Sequence, residues 1–470
     1  MTPGRPSVPS CAKEYTVYHG SESASRDERR PKERRLLEDH LTALARAHRV
    51  PGAQLAVHTG GSTLTVETGV LDADTAEPFT TETAVPIGSI TKCYTATLVL
   101  LLVADGDVAL DDQLGDHVPE LRRSGPPCTV RQVLSHTAGL PSGPDSDQVA
   151  ALTTARYLLD HCTDRSLVMA PGTDFSYSNA GYVAAGRLIE TVTGMSWAEA
   201  VRSVLLEPLG TVPCFVGATG TARRPPAHGH AGNMATGRIR PVHQNLAPAE
   251  AAAGALAASA LDLVALARAH IGDGPPGLLP PELAARARRP VPGADPGVLA
   301  DGWGLGFALF RRDATLWFGH DGNAQGTSCH LRADPVSGAV VAFTSNASVG
   351  TEMWHELADG LEDITGLRVP ATPARPAPAT PMAATAQCTG IYLNGDIEYQ
   401  VTMSDSGNLA LSVDGDLPAP LVCHEDLTCD LVDPSSGRRI PGGRFVRDPR
   451  TGAVDRIQLS GRMARKSALV

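Results

Sequence analysis

The sequence predicts an α/β (α+β) protein. An antiparallel sheet drawn from both ends of one large domain is flanked by a helical region and followed by a small all-β barrel or sandwich. Three observations carry this expectation. Strand-like runs cluster near residue 55 and return after residue 310. Helical spacing dominates between them, and a proline-rich stretch cuts off a tail of short strands and turns.

The 470 residues allow more than one domain, at roughly 100–200 residues each. With 42% apolar and 19% charged residues, the chain is globular and neither disordered nor fibrous. A formal net charge of −11 disfavours wrapping nucleic acid or lying on anionic lipid, so small molecules or peptides are the expected partners.

A polar, flexible leader is expected over 1–33. Its charge-dense end, Arg26 to Arg35, has no apolar core of the about 7–15 residues a secretory signal needs, and the expected location is cytoplasmic. The apolar run Ala96–Ala104 falls short of the roughly 18 residues that span a bilayer. Nine cysteines without a C-x-x-C pair suggest reduced thiols and no metal cage. No cofactor is expected.

Leu37, Leu41, Leu44 and Ala45 repeat at helical spacing and predict a helix over 34–48. Two alternating runs around Gly60-Gly61 predict a hairpin. Ser89–Ala104 is apolar on nearly every face, which predicts a helix buried all round. Further helices are expected over Gly181–Thr193, Ala251–His270 and Glu352–Ile364, and strands over Ala314–Gly319, Thr327–Ala333 and Ala339–Ser345. The large domain is thus placed at 34–368, a Pro/Ala linker at 369–386 and the β domain at 387–470.

The chemistry starts at P-I-G-S-I-T-K-C-Y-T, Pro86–Thr95. A serine opening a helix is commonly its cap. Lys92, however, lies one turn on, at a helix end that favours negative charge, and a serine hydroxyl becomes a nucleophile when a neighbouring base takes its proton. Tyr177-Ser178-Asn179 stands in a loop before a helix, and His320-Asp321-Gly322 ends a strand where glycine admits a close approach. Taken singly, each is ordinary packing.

Together and in this order they resemble the serine β-lactamase and penicillin-binding-protein family. Thr129–Ser142, Tyr177–Gly194 and Gly302–Phe307 are similar to the branch holding class C β-lactamases, esterases, D-stereospecific peptidases and stand-alone peptide cyclases. The resemblance covers about 36–366. It implies that Ser89 is the acylated nucleophile, Tyr177 the general base with Lys92 beside it, and Asn179 a hydrogen-bond partner of Lys92 and of substrate. It also implies that His320 and Gly322 line the cleft and that the backbone N–H groups of Ser89 and Asn323 form an oxyanion hole.

The implied activity is acyl transfer from a small-molecule or peptidyl ester or thioester, free or on a carrier protein, to an amine, by a transacylase or peptide cyclase of secondary metabolism. Ester hydrolysis is the alternative, and a non-catalytic acyl binder or sensor is the alternative of another class. Many family members have lysine where His320 stands. A largely neutral imidazole holds a carboxylate less well, which argues against β-lactam hydrolysis. The β domain resembles lipocalin-like appendages of this branch, and its arginines 438, 439, 444, 447, 456 and 462 are candidates for a substrate carboxylate. Cys93 reads as core, His136 as a fold element, and His228-Gly229-His230 as metal-like in spacing but without acidic or sulfur ligands beside it.

Overall fold

The computed structural model describes residues 31–467 apart from 76, 218–223, 225, 234–237, 375–379, 382–385, 406 and 434–436. The leader expected over 1–33 therefore lies outside the described residues up to residue 30, and so does part of the linker. Among the described residues, eleven strands precede the linker. They are β1 (Gly52–Thr59), β2 (Ser62–Gly69), β3 (Val85–Pro86), β4 (Gly229–Asn233), β5 (Arg238–Val242), β6 (Ala257–Ala258), β7 (Gly302–Trp303), β8 (Ala308–Arg312), β9 (Thr315–Gly322), β10 (Ser328–Ala333) and β11 (Val340–Ser345). Seven form one antiparallel sheet in the order β2-β1-β11-β10-β9-β8-β7.

The two ends of the domain meet where β1 pairs with β11, from Ala53 opposite Ser345 to His58 opposite Val340. Side chains alternate across a strand. Leu55, Val57 and Phe343 therefore pack with Leu37, Leu41 and Trp354 from the terminal helices Pro31–Ala47 and Gly350–Thr365. Ala56 and Ala342 face the larger core on the other side. The helix Thr91–Asp105 runs through that core, buried from Thr91 to Leu102, and stops at Gly106 in the left-handed conformation. With the preceding turn it is apolar and long enough to cross a membrane, but its burial among the other helices identifies it as the core helix foreseen from its composition.

The helix expected over Ala251–His270 is broken in two. A short helix, Ala251–Gly254, ends before β6, and Ala260–Ile271 begins at Ser259, whose side chain forms a capping box with Asp262. β6 pairs with β3 beside the Ser89 turn, and Leu256 N–H donates to the Thr91 hydroxyl. Alanine carries no side-chain signal, so these tertiary bonds override its helical propensity. The break leaves the Ala252 and Ala253 carbonyls free; Thr95 donates to the first at 2.7 Å and Lys92 to the second at 2.9 Å.

After the linker, β12 (Gly390–Asn394), β13 (Ile397–Met403), β14 (Leu409–Val413), β15 (Ala419–Cys423), β16 (Thr428–Val432), β17 (Arg439–Arg447), β18 (Val454–Leu459) and β19 (Arg462–Lys466) close into a barrel. Tyr392, Leu411, Phe445 and Ile457 fill its interior, and Val446 and Met463 pack against Val168 and Met169 of the large unit.

Arg332 in β10 is fully buried. Its guanidinium grips the Asp321 carboxylate at 2.7 and 3.1 Å and donates to the carbonyls of Pro370 and Ala371, tying the active sheet to the start of the linker. Burial alone would raise the pKa of Asp321, but Arg332 and His330 hold it far below the carboxylate range. Arg332→Met removes the cation and leaves the Asp321 carboxylate with His330 as its remaining partner. Because the Asp321 side chain is 37% exposed, stability in urea is expected to drop by about 1–3 kcal/mol; a loss under about 1 kcal/mol would show that the pair is not structural.

Candidate active site

Two glycines bring the two halves of the site together. A Cβ on Gly88, at φ +49°, would lie 2.2 Å from the Asn323 carbonyl, and one on Gly322 would lie 2.0 Å from the Ile87 carbonyl. The end of β9 is thus pressed against the turn Gly88–Ile90, a 3₁₀ turn that precedes the regular helix. Ser89 does not cap that helix. Its hydroxyl is instead 3.0 Å from Lys92 Nζ, which also donates to Ala253. Among the described residues the backbone N–H groups of Ser89 and Asn323 meet no protein acceptor. They stand on the two segments that the glycines hold together.

Lys92 is 1% exposed. Burial and then the Arg462 cation push its pKa down to about 7, while the carboxylate of Glu250 opposes them. Glu250 is itself 3% exposed; burial raises its pKa, and the Ser146 hydroxyl and Lys92 pull it back. It precedes Ala253 by three residues at the start of the same short helix, which puts the carboxylate on the side of Lys92. An alanine-rich segment offered no sign of this role.

Tyr177 lies between two supports. His136, itself at φ +57°, stacks on the phenol ring at 4.3 Å. Its carbonyl and Nδ1 accept the N–H groups of Ser176 and Ser178 on either side of Tyr177. The fold element read from S-H-T-A-G-L is therefore also a seat for this loop. From the barrel, Arg462 lies 5.6 Å from the Tyr177 ring centre, with no ion-pair partner among the described residues. Burial pushes the phenol pKa up; the facing Ser89 hydroxyl and then Arg462 pull it down, but among the described residues the phenol oxygen closes no hydrogen bond of full geometry.

His320 is 3% exposed and stands edge-on to Trp303 at 5.2 Å. Its Nδ1 donates to the Asp321 carbonyl, so Nε2 is an unprotonated acceptor, and it meets no protein partner among the described residues. Burial and then Lys92 lower the imidazole pKa to about 4. Ser89, Lys92, Tyr177, His320 and Gly322 thus converge, from three distant stretches of the chain. A hydroxyl, an amine that titrates near neutrality, and two free N–H donors are the parts of an acyl-transfer site.

The Beta-lactamase family pattern matches residues 37–364. The chain belongs to the beta-lactamase family. Penicillin-binding protein 4 of Amycolatopsis lactamdurans is 34% identical over 373 residues, covering 75% of this chain and 97% of that protein. The crystal structure of SurE, also solved with D-Leu, superposes with a TM-score of 0.82 at 38% identity over 93% of this chain and 99% of SurE. A D-stereospecific amidohydrolase from Streptomyces sp. superposes at TM-score 0.55 and 26% identity, over 71% of this chain and 99% of its own.

This beta-lactamase-like chain is a member of a serine-hydrolase and acyl-transfer family, as its motifs implied. One implied contact differs. Lys92 reaches the Ala253 carbonyl, exposed at the end of its short helix, and not the side chain of Asn179. Asn179 is half-buried at the start of the helix Asn179–Thr193, where its own N–H donates to Ser142. His228 and His230 are engaged with Asp72, Ala73 and Asn346, and the described residues hold no cluster suited to a metal. Cys93 is buried and donates to the Gly306 carbonyl.

The neutral buried histidines set a pH dependence. His320 titrates at about 4 in the folded state against 6.5 for an unperturbed histidine, so below 6.5 the unfolded chain binds the extra proton. Its contribution is therefore present above pH 6.5 and is lost as pH falls through about 4, amounting to roughly 3 kcal/mol. Urea midpoints taken across this range should fall with acid, and less steeply in His320→Asn; equal slopes would rule out His320 as the titrating group.

Proposed function

We propose that this protein is an intracellular acyl-serine enzyme that takes an acyl group from a peptidyl or small-molecule ester or thioester and passes it to an amine, as a transacylase or peptide cyclase. The observation that carries the reading is the buried Lys92 amine, bonded to the Ser89 hydroxyl and titrating near neutrality. Likeness to SurE, which has been solved with D-Leu, and to a D-stereospecific amidohydrolase favours peptidyl substrates with a D-residue. The eight described cysteines form no disulfide with one another, which suits a reducing compartment.

In this reading neutral Lys92 takes the Ser89 proton as Oγ attacks the acyl carbonyl. The resulting oxyanion lies between the N–H groups of Ser89 and Asn323. The raised pKa keeps Tyr177 a neutral phenol, which suits a relay that gives its proton to the departing alkoxide or thiolate as it takes the Ser89 proton from Lys92, rather than a group that starts as the base. An amine then attacks the acyl-serine ester, its proton passes through the same Lys92–Tyr177 pair to Ser89 Oγ, and the Ser89 hydroxyl is restored as the amide leaves. His320 Nε2, an acceptor without a proton, suits the N–H of that amine, and Arg462 suits a carboxylate on the substrate.

Intact-mass measurement during turnover of a p-nitrophenyl acyl ester should show an adduct that Ser89→Ala abolishes. The rate of acylation should climb with pH through about 7, because Lys92 is charged below that point and a base above it. A profile that stays flat across neutrality, or an adduct that survives in Ser89→Ala, would sink the assignment.

Amines added during turnover distinguish transfer from hydrolysis. Amide is expected to replace acid in proportion to amine concentration. Pure acid with every amine tried, including amino acids and their amides, would leave the esterase reading in its place.

A further inference from the structure

The barrel holds each residue from Asp174 to Tyr177. Arg456 and Arg444 reach the Asp174 carboxylate at 3.3 and 3.7 Å. Gln458 donates to the Phe175 carbonyl at 3.1 Å, and Met463 N–H to the Ser176 hydroxyl at 3.2 Å. Tyr177 N–H itself donates to the carbonyl of Gly461 at 2.9 Å. Gly461 lies at the tip of the β18–β19 hairpin, where Ser460 and Gly461 both have positive φ, as a tight two-residue turn requires. A Cβ on Gly461 would meet the Leu299 side chain at 2.3 Å, and the φ of +74° there favours glycine.

One barrel side chain joins both stretches that frame this loop. Asn394, at the end of β12, is 1% exposed. Its Oδ1 accepts the Ser142 N–H at 2.7 Å, and its Nδ2 donates to the Met463 carbonyl at 2.7 Å and to the Ser176 hydroxyl at 3.4 Å. The Ser142 carbonyl in turn accepts the Asn179 N–H at 2.8 Å. Carboxamide geometry is needed here, because a carboxylate lacks the two donors and an alkyl group lacks everything.

We infer that the barrel is a positioning element of the active site, and that Asn394 is the residue that registers the Tyr177 loop against Ser89. The inference rests on the reading that Tyr177 takes part in acylation. Misplacing a reacting group by about 1 Å costs on the order of a hundredfold in rate, so a barrel that seats the loop controls turnover without touching substrate through this residue.

The test is a double-mutant cycle in the full chain, with acylation by an alkyl ester, whose alkoxide needs a proton to leave, as the readout. Asn394→Ala is expected to lower kcat about 10–100-fold with KM nearly unchanged. In the Tyr177→Phe background the same change should cost less than about threefold, because the loop then carries nothing to position. Leu421→Ala, in the barrel core, controls for loss of barrel stability and should leave kcat nearly intact. If Asn394→Ala does not fold, Ser176→Ala, which removes the loop side of the same contact, takes its place in the cycle. Equal losses in both backgrounds, or a Leu421→Ala loss as large as that of Asn394→Ala, would overturn the inference while the role of Tyr177 stands. A near-normal rate for Tyr177→Phe would overturn that role and the inference together.

Discussion

The structure turns on the burial of one amine. Lys92 sits on the core helix with its charge removed from water, and its two bonding partners, Ser89 and the Ala253 carbonyl, cannot restore what hydration would have supplied. Everything nearby is arranged around that deficit. The short helix Ala251–Gly254 ends where its carbonyl can receive the amine, Glu250 supplies a distant negative charge, and the cation of Arg462 works against it. A lysine at the protein surface would keep its proton and leave Ser89 an ordinary alcohol.

The same logic explains the neutral ring at His320. A second cation this close to Lys92 would compound the electrostatic cost, whereas an imidazole can discard its proton and remain a hydrogen-bonding group. The positive charge of the site is thereby concentrated on Lys92 and Arg462, one from each of the two packed units. Asp321 opposes this balance only as a lesser influence, raising the pKa of His320. Its carboxylate is turned to Arg332 and His330, and only its carbonyl reaches the His320 ring.

Much of this was legible in the sequence where chemistry and periodicity are both local. The terminal helices, the first hairpin and the core helix follow from side-chain spacing, and the S-x-x-K, Y-x-N and H-x-G segments supply groups that the fold brings together. What could not be read is what depends on contact between distant segments. The alanines from 251 to 258 carry no mark of the break that creates the lysine acceptor, and β7 and β8 are too short to leave a period. Asn394 lies in a strand with no motif, and its bonds to Ser142 and Ser176 exist only once the barrel has docked. The Asn179 contact came from resemblance, and a backbone carbonyl took its place.

Pairing β1 with β11 has a consequence for how the chain is made. The first hairpin is synthesised early, but the strand that completes its sheet is separated from it by the entire helical region. Local helices form in microseconds or less, whereas a pairing of such sequence separation must wait for its partner and for the closure of a very large loop. A ribosome adding roughly 5–20 residues per second leaves the edge of β1 open for many seconds. The domain therefore passes through an interval in which β1 exists without its partner β11, and protection of that unpaired edge becomes a task for chaperones.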